Sequence, residues 1–566
     1  MYTLLFDTGG TALVALMLVC LYMVVITKSP RLILLAGIIP AAVANFYCYS
    51  SHVNMHNSIV YRIMLSGVPP ENPLLAGVPL SYAWLHHFIV ALMSKTLSVP
   101  PYLAFGLLNI MALAVAASAL YSCAGFISDQ KDVRVNAVIL ALIGMSPFLR
   151  GPGRRIFKGL SGLDLDQRAY PIIKFISVNS NSLGLMFFAL MLLALLSIFL
   201  RQQSKYVSVA VLFISLLGVA LFYPLLILAA FSVPVAVSLY AAFKLPKKRR
   251  EAFFTVPVAT GMAGFLSLPY LLTLASGRSG ASGFFHLSFS AEHLFRNGLN
   301  LVMVLIVPVF IVIMTWPDQK SFCEQKTRAV IALSALTPML LFLFIRQPDF
   351  TEYKYLAAGF FGAGMIMAPA FTALKKNKAV FYALLFIFLF PFSSYFIIKG
   401  VRGWNIADPY TIKGRWLEPV DTEEARLYRW IRENTTADAV FCDSYLTVPV
   451  FSGRVLFIGT DLRRKKGLLN EKRDGWYLTA ERLLKTNFAG DPGIIKTREK
   501  IASKLLNSST VRLGEADLDI VRSLKRPFYL VERDSVRSNR VVPEGFKKVY
   551  DSKKIRVFQL TQNSKL

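Results

Sequence analysis

The chain has 566 residues, 55% of them hydrophobic, and a mean hydropathy of +0.51. A soluble protein is excluded, because the apolar residues gather in blocks of roughly twenty, enough to cross a hydrocarbon core about 30 Å thick. The formal net charge of +29 implies no nucleic-acid partner: the basic residues sit in short loops and in the tail, where they fix topology and meet anionic headgroups or a phosphorylated lipid.

In chain order, spans are expected at 11–27, 31–48, 77–96, 101–122, 135–149, 183–200, 206–221, 223–243, 253–275, 299–316, 329–345, 355–373 and 379–398. Residues 1–10 lack a basic n-region and the first block runs into Lys28 and Arg31, so it reads as a first membrane helix rather than a cleaved leader. Basic inside markers are Lys28 with Arg31, the run from Lys244 to Arg250, and Lys375 to Lys378. Walking back from Lys378 puts the tail, 346–354, 273–298 and 150–182 outside; walking forward from Arg31 puts 49–76 outside. The two walks disagree, because three expected spans lie between 77 and 150 where an even number is needed. Either a short or re-entrant segment lies within 101–182, or one block does not cross. The five cysteines are scattered without a CxxC pair, so no zinc site or disulfide framework is implied.

The first outer loop, 49–76, carries the most chemistry. His52 and His56 are four residues apart and share one face of a short helix, which Ile59, Ile63 and Met64 continue on an apolar side. The run from Val68 to Pro73 is expected to be extended. Four of the six histidines (His52, His56, His86, His87) fall in one short stretch. They are either snorkelling anchors or a general base or metal ligands, with Glu71, Asp164 or Asp166 as a third ligand. In the second outer loop, 150–182, Asp164 and Asp166 suit an acceptor hydroxyl or a divalent cation (Mg or Mn), and Arg168 and Lys174 suit a phosphate; a solvated, internally paired loop is the alternative. Arg346, Glu352 and Lys354 stand at span ends, as anchors or pocket liners.

Residues 399–566 change character, with dense charge and alternating strand and helix signals. Asp421-Thr-Glu-Glu424 is expected to cap a helix whose apolar stripe is Leu427, Trp430 and Ile431. Strands are expected at 439–442, 454–458, 528–531 and 555–560. The fold expected is mainly α: a polytopic transmembrane helical bundle over 1–398, with about 12 to 14 spans, and a small α/β extracytoplasmic domain over 399–566.

The first outer loop, with its short helix, the segment Gly67-Val-Pro-Pro-Glu-Asn-Pro73 and then Gly77-Val-Pro-Leu-Ser-Tyr82, resembles the GT-C superfamily of polytopic membrane glycosyltransferases, in particular the RgtA/B/C/D-like and protein O-mannosyltransferase-like branch. In the tail, Leu427–Thr435, Phe451–Arg454 and Pro527–Val531 are similar to the outer domain of such enzymes, and the Glu352-Tyr-Lys354 entry into a span is similar to a recurring element of theirs. The resemblance implies transfer of a sugar from a polyprenyl-phosphate donor to a glycan, lipid or protein acceptor on the outer face of the plasma membrane. It also implies an acidic base or metal partner in the first outer loop. This sequence departs there: residues 49–70 contain no Asp or Glu, and Ser51, His52 and His56 hold the place. Histidine then serves as the base, or the chain is inactive. The alternatives are a transporter or flippase, or a non-catalytic assembly subunit, for lipid-linked saccharides. No sequence symmetry between halves favours transport.

Overall fold

The computed structural model describes residues 51–144, 171–176, 181–200, 205–244, 251–276, 285–314, 325–347, 351–384, 410–413, 415–419, 421–459, 492–507, 513–533 and 544–561. The expected spans 11–27 and 31–48 lie outside the described residues, as do Asp164, Asp166 and Arg168.

The membrane part is built from helices α1 (Ser51–Ser66), α2 (Leu85–Leu97), α3 (Pro101–Ala124), α4 (Lys131–Ile143), the single turn α5 (Ile173–Ile176), α6 (Ser182–Leu200), α7 (Lys205–Phe222), α8 (Ile227–Lys244), α9 (Glu251–Ser276), α10 (Ala291–Met314), α11 (Gln325–Phe344) and α12 (Tyr353–Ala373). Among the described residues, six stretches are long and apolar enough to cross a bilayer: Pro101–Ala124, Ser182–Leu200, Pro224–Lys244, Phe254–Ala275, Gln325–Phe344 and Tyr353–Lys376. The chain is an integral membrane protein, and mostly helical. Large apolar side chains along α9 and α10, among them Phe265, Leu272, Ile306 and Phe310, are exposed, as befits helices whose outer surface meets lipid.

One expected span is corrected. The block 77–96 becomes a helix only from Leu85, after an irregular stretch, and α2 has 13 residues. At about 1.5 Å per residue it is roughly 20 Å long, too short to cross alone. Contacts at the other membrane side support this correction. Asp132 at the start of α4 pairs with Lys375 at 2.5 Å, and Asn136 donates to Thr372 Oγ1 at 2.8 Å. The turn between α3 and α4 therefore shares a side with the inside marker Lys375. α4 is likewise described over only 13 residues, Lys131–Ile143, and is not among the six stretches long enough to cross. The α4–α12 contact is close because Gly364 lacks a side chain; a Cβ there would lie 2.2 Å from the backbone nitrogen of Ala141.

The tail contains a β3–β4 hairpin (Tyr410–Lys413, Trp416–Pro419) and a five-stranded sheet of β5 (Val440–Cys442), β6 (Val455–Leu456), β7 (Phe528–Arg533), β8 (Phe546–Asp551) and β9 (Ile555–Leu560), ordered β6-β5-β7-β9-β8. β5 is parallel to β6 and β7, whereas β7, β9 and β8 are antiparallel. Helices α13 (Thr422–Asn434), α14 (Val448–Ser452), α15 (Pro492–Asn507) and α16 (Glu515–Arg522) complete it. Asp421 caps α13 by accepting from the backbone N–H groups of Glu423 and Glu424, and Leu427, Tyr428 and Ile431 are its buried residues. Its expected Trp430 is only half-buried, against Tyr550. All four expected strands form; β8, with three charges in six residues, does not stand out in sequence.

The tail and the first outer loop are one packed unit. Ala76 N–H donates to Leu456 O at 2.9 Å, Leu456 N–H to Pro73 O at 3.0 Å and Gly459 N–H to Leu74 O at 2.7 Å. Residues 73–76 thereby cover the β6 edge of the sheet, satisfying backbone groups that an open edge leaves exposed. On the other side α1 packs on the tail. Tyr61 stacks on Trp416 at 4.4 Å and donates to Arg415 O at 3.0 Å. Gly453, at φ +69°, lies where a Cβ would strike the Leu65 side chain.

Candidate functional site

The helix ends on the side of the tail gather three polar clusters. The first is a box of rings from α1, α2 and α3. α1 places His56 against α2, whose N-terminus carries His86 and His87. His56 Nδ1 and His87 Nε2 are 2.7 Å apart and their rings stack at 5.0 Å. His86 stacks on Phe105 at 5.5 Å. Tyr82 lies 6.2 Å from the His56 ring and 5.6 Å from that of His87. All three histidines are buried. At an N···N distance of 2.7 Å one imidazole donates and the other accepts, so each fixes the other's tautomer. The α1 helix also contains His52, whose side chain is outside the described residues.

The second cluster lies at the entry to α12. Lys174, from α5, donates to the Tyr353 hydroxyl at 3.0 Å and stands 4.7 Å from the centre of that ring. Lys354 stands 5.1 Å over the ring of Tyr223, which sits in the break between α7 and α8. Both lysines are at most 7% exposed. Tyr353, Tyr82 and Tyr355 are near enough to the buried Tyr223 to act on it electrostatically, so this group of tyrosines lies between the two ammonium groups and the histidine box. Beside it Glu352 pairs with Arg296 at 2.8 Å. Gln347 donates to Tyr355 Oη at 2.9 Å and to Leu225 O at 2.8 Å. His293 has Arg296 at 3.4 Å and Asn297 at 3.3 Å. Burial raises the Glu352 carboxyl above its usual range, opposed by backbone donors and the Arg296 charge. Burial and then the charges of Arg296 and Arg346 lower His293, favouring neutral imidazole. Arg346 is exposed, opposite His286 in the two-residue β1–β2 pairing (His286–Leu287, Ile345–Arg346).

The third cluster is centred on Glu71, which is not among the tyrosines. Its carboxylate binds Arg62 of α1 at 2.6 Å, Arg526 of the tail at 2.5 Å, and the backbone N–H of Gly77. Gly77 has φ +77°, a conformation that favours glycine at the tip of the 71–79 turn.

Of the residues singled out in sequence, the fold brings Lys174 and Lys354 onto one group of tyrosines. Tyr82 links that group to His56, Glu352 stands beside it, and Glu71 takes part in the loop–tail contact. Asp164, Asp166 and Arg168 lie outside the described residues. Sequence reasoning passed over His293 and Arg296, and gave no role to Tyr223. A tyrosine before a proline at a span end was the one available signal for Tyr223. Among the described residues no three His, Cys, Asp or Glu side chains gather to hold a metal ion.

No family model matches the chain, and no curated protein does. Solved structures with a similar chain path are ArnT from Cupriavidus metallidurans in the apo state (9% identity, 90% of this chain and 93% of that one, TM-score 0.49) and the same protein bound to undecaprenyl phosphate (9%, 94% and 98%, TM-score 0.48). The arabinofuranosyltransferase AftD from Mycobacteria is another (12% identity, TM-score 0.48); the match covers 91% of this chain and 40% of AftD. These are likenesses of backbone path, and the chemistry of this site rests on its own side chains.

Proposed function

We propose that the chain is a membrane glycosyltransferase of the GT-C type, moving a sugar from a polyprenyl-phosphate donor to a glycan, lipid or protein acceptor on the outer face. The observation that carries this is the convergence of two buried ammonium groups, Lys174 and Lys354, on the Tyr353 and Tyr223 rings at the outer end of a membrane span. Buried cations at span ends are costly and mark places where an anion is bound, and aromatic faces both stabilise them and offer a surface to a sugar or an isoprenoid. The phosphate lies against Lys174 and Lys354, with Arg346 as a further cation near the entry to α12.

Transfer is a displacement at the anomeric carbon. The acceptor oxygen forms the new C–O bond, and the bond from the sugar to phosphate breaks. The polyprenyl phosphate leaves with the electron pair, held by the ammonium groups, and the acceptor proton passes to a base. That base is drawn from His56, paired with His87, from His52, or from Asp164 and Asp166. The tail packs on the end of the helices away from Lys375, and the basic residues near Lys375 support an extracytoplasmic tail under the positive-inside rule.

The test is sugar transfer from a radiolabelled polyprenyl-phosphate sugar in proteoliposomes. Wild type is expected to transfer, and Lys174→Ala and Lys354→Ala are each expected to raise the donor KM about tenfold or more. Lipid movement across the bilayer without transfer would make the protein a flippase.

A further inference from the structure

Glu71 is the one carboxylate among the described residues that joins three separate pieces of the outer face. Arg62, held at 2.6 Å, lies six residues after His56 on α1. Gly77, whose N–H it accepts, is on the far side of the turn that ends three residues before Tyr82. Arg526, at 2.5 Å, belongs to the tail. The turn is closed on itself by Asn72 N–H to Val78 O at 2.9 Å and Leu80 N–H to Pro70 O at 3.0 Å. It is closed onto the tail by the three backbone bonds to Leu456 and Gly459. Arg498 of α15, donating to Ala76 O and to Phe457 O at 3.2 Å, covers the same junction. Arg62 donates in addition to Ala437 O of the tail at 2.7 Å.

We propose that Glu71 is a positioning residue rather than a ligand for substrate. By tying α1, the 71–79 turn and the tail into one body, it sets His56 on α1 against Tyr82 and His87 that follow the turn. The tail is then the template on which the first outer loop is folded. Without this tie α1 and α2 are joined by 18 residues that include four prolines and two glycines, and the histidine–tyrosine geometry is set only by local packing. The consequence for catalysis rests on the proposed transferase activity; the structural consequence does not.

Two readouts on the full-length protein in nanodiscs separate these. In Glu71→Gln and Arg526→Gln, hydrogen exchange at the amides of Ala76 and Gly459 is expected to speed up about tenfold. Transfer is expected to lose about tenfold in kcat, with the KM for the polyprenyl-phosphate sugar unchanged within about twofold. Glu71→Asp, which keeps the charge, is expected to fall between. Unchanged exchange in both variants overturns the role, and so does faster exchange with unchanged kcat. A raised donor KM at unchanged kcat makes Glu71 a substrate ligand and likewise overturns it. If wild type transfers no sugar, the proposed function fails by itself, and the exchange result still decides whether Glu71 ties the loop to the tail.

Discussion

The face that carries the tail holds two kinds of cation, held in different ways. Arg62 and Arg526 are turned onto the carboxylate of Glu71, whereas Lys174 and Lys354 are turned onto tyrosine rings. A guanidinium forks onto a carboxylate in fixed geometry, which suits a permanent joint. An ammonium over a ring keeps its charge and rotates its donors, which suits a group that must also meet a phosphate. The first region therefore governs whether the outer face is assembled, and the second whether it binds.

That contrast can be broken at several points. The largest effect is expected from Gly453→Val. It forces a β-branched residue into φ +69° and onto Leu65 and Tyr61, costing about 3 kcal/mol, and thermal unfolding followed by size-exclusion chromatography should show loss of the tail–α1 contact. Glu71→Gln should cost roughly 2 kcal/mol by the same measurement, because it strips charge-assisted bonds from two arginines. Lys354→Ala, by contrast, should leave the melting temperature within a degree or two and lower kcat/KM about tenfold to a hundredfold, or about 1.4 to 2.8 kcal/mol. A melting temperature that falls as far as in Glu71→Gln would erase the distinction.

Two smaller effects sharpen it. Glu418, two residues after Trp416 on β4, is raised by burial, but bonds from Arg429 at 2.9 Å and Arg432 at 2.5 Å outweigh this and hold its carboxyl below the usual 4.5. A depressed carboxylate contributes stability that is fully present above the unfolded value and fades as pH falls through the folded one. Tail stability should therefore drop below about pH 4.5, less so in Glu418→Gln, as tryptophan fluorescence against pH would record. Least of all, Lys375→Ala removes a half-exposed pair with Asp132 and should change stability by about 0.5 kcal/mol or less. Cysteines at 128 and 376 should nevertheless label from one membrane side, opposite a cysteine at 346.

Parts of the molecule were legible because they are local. Asp421 caps α13 as its spacing indicates, and the four expected strands are short apolar runs between turn signals. The spans at 183–200, 329–345 and 355–373 appear within a few residues of their hydropathy blocks, because one apolar helix solves its backbone hydrogen bonding by itself. The block at 77–96 misled, because apolar residues packed under a domain read like residues in lipid. In the structure the helix starts only at Leu85 and runs for 13 residues. For the site, residue type and position at span ends pointed to Lys174, Lys354 and Glu352, but not to Tyr223, His293 or Arg296, which earn their place only from the elements packed against them.

By itself the sequence determined that this chain lies in a membrane, where its helices run, and which polar residues stand at their outer ends, since hydropathy, charge and capping act over a few turns. Only the tertiary structure decided that α2 stops short of crossing, that residues 73–76 bond to the edge of the tail's sheet, and that Glu71 joins while Lys174 and Lys354 pack on tyrosine rings. Those outcomes depend on partners more than a hundred residues away, and whether a buried charge becomes a joint or a binding group is fixed by what packs against it.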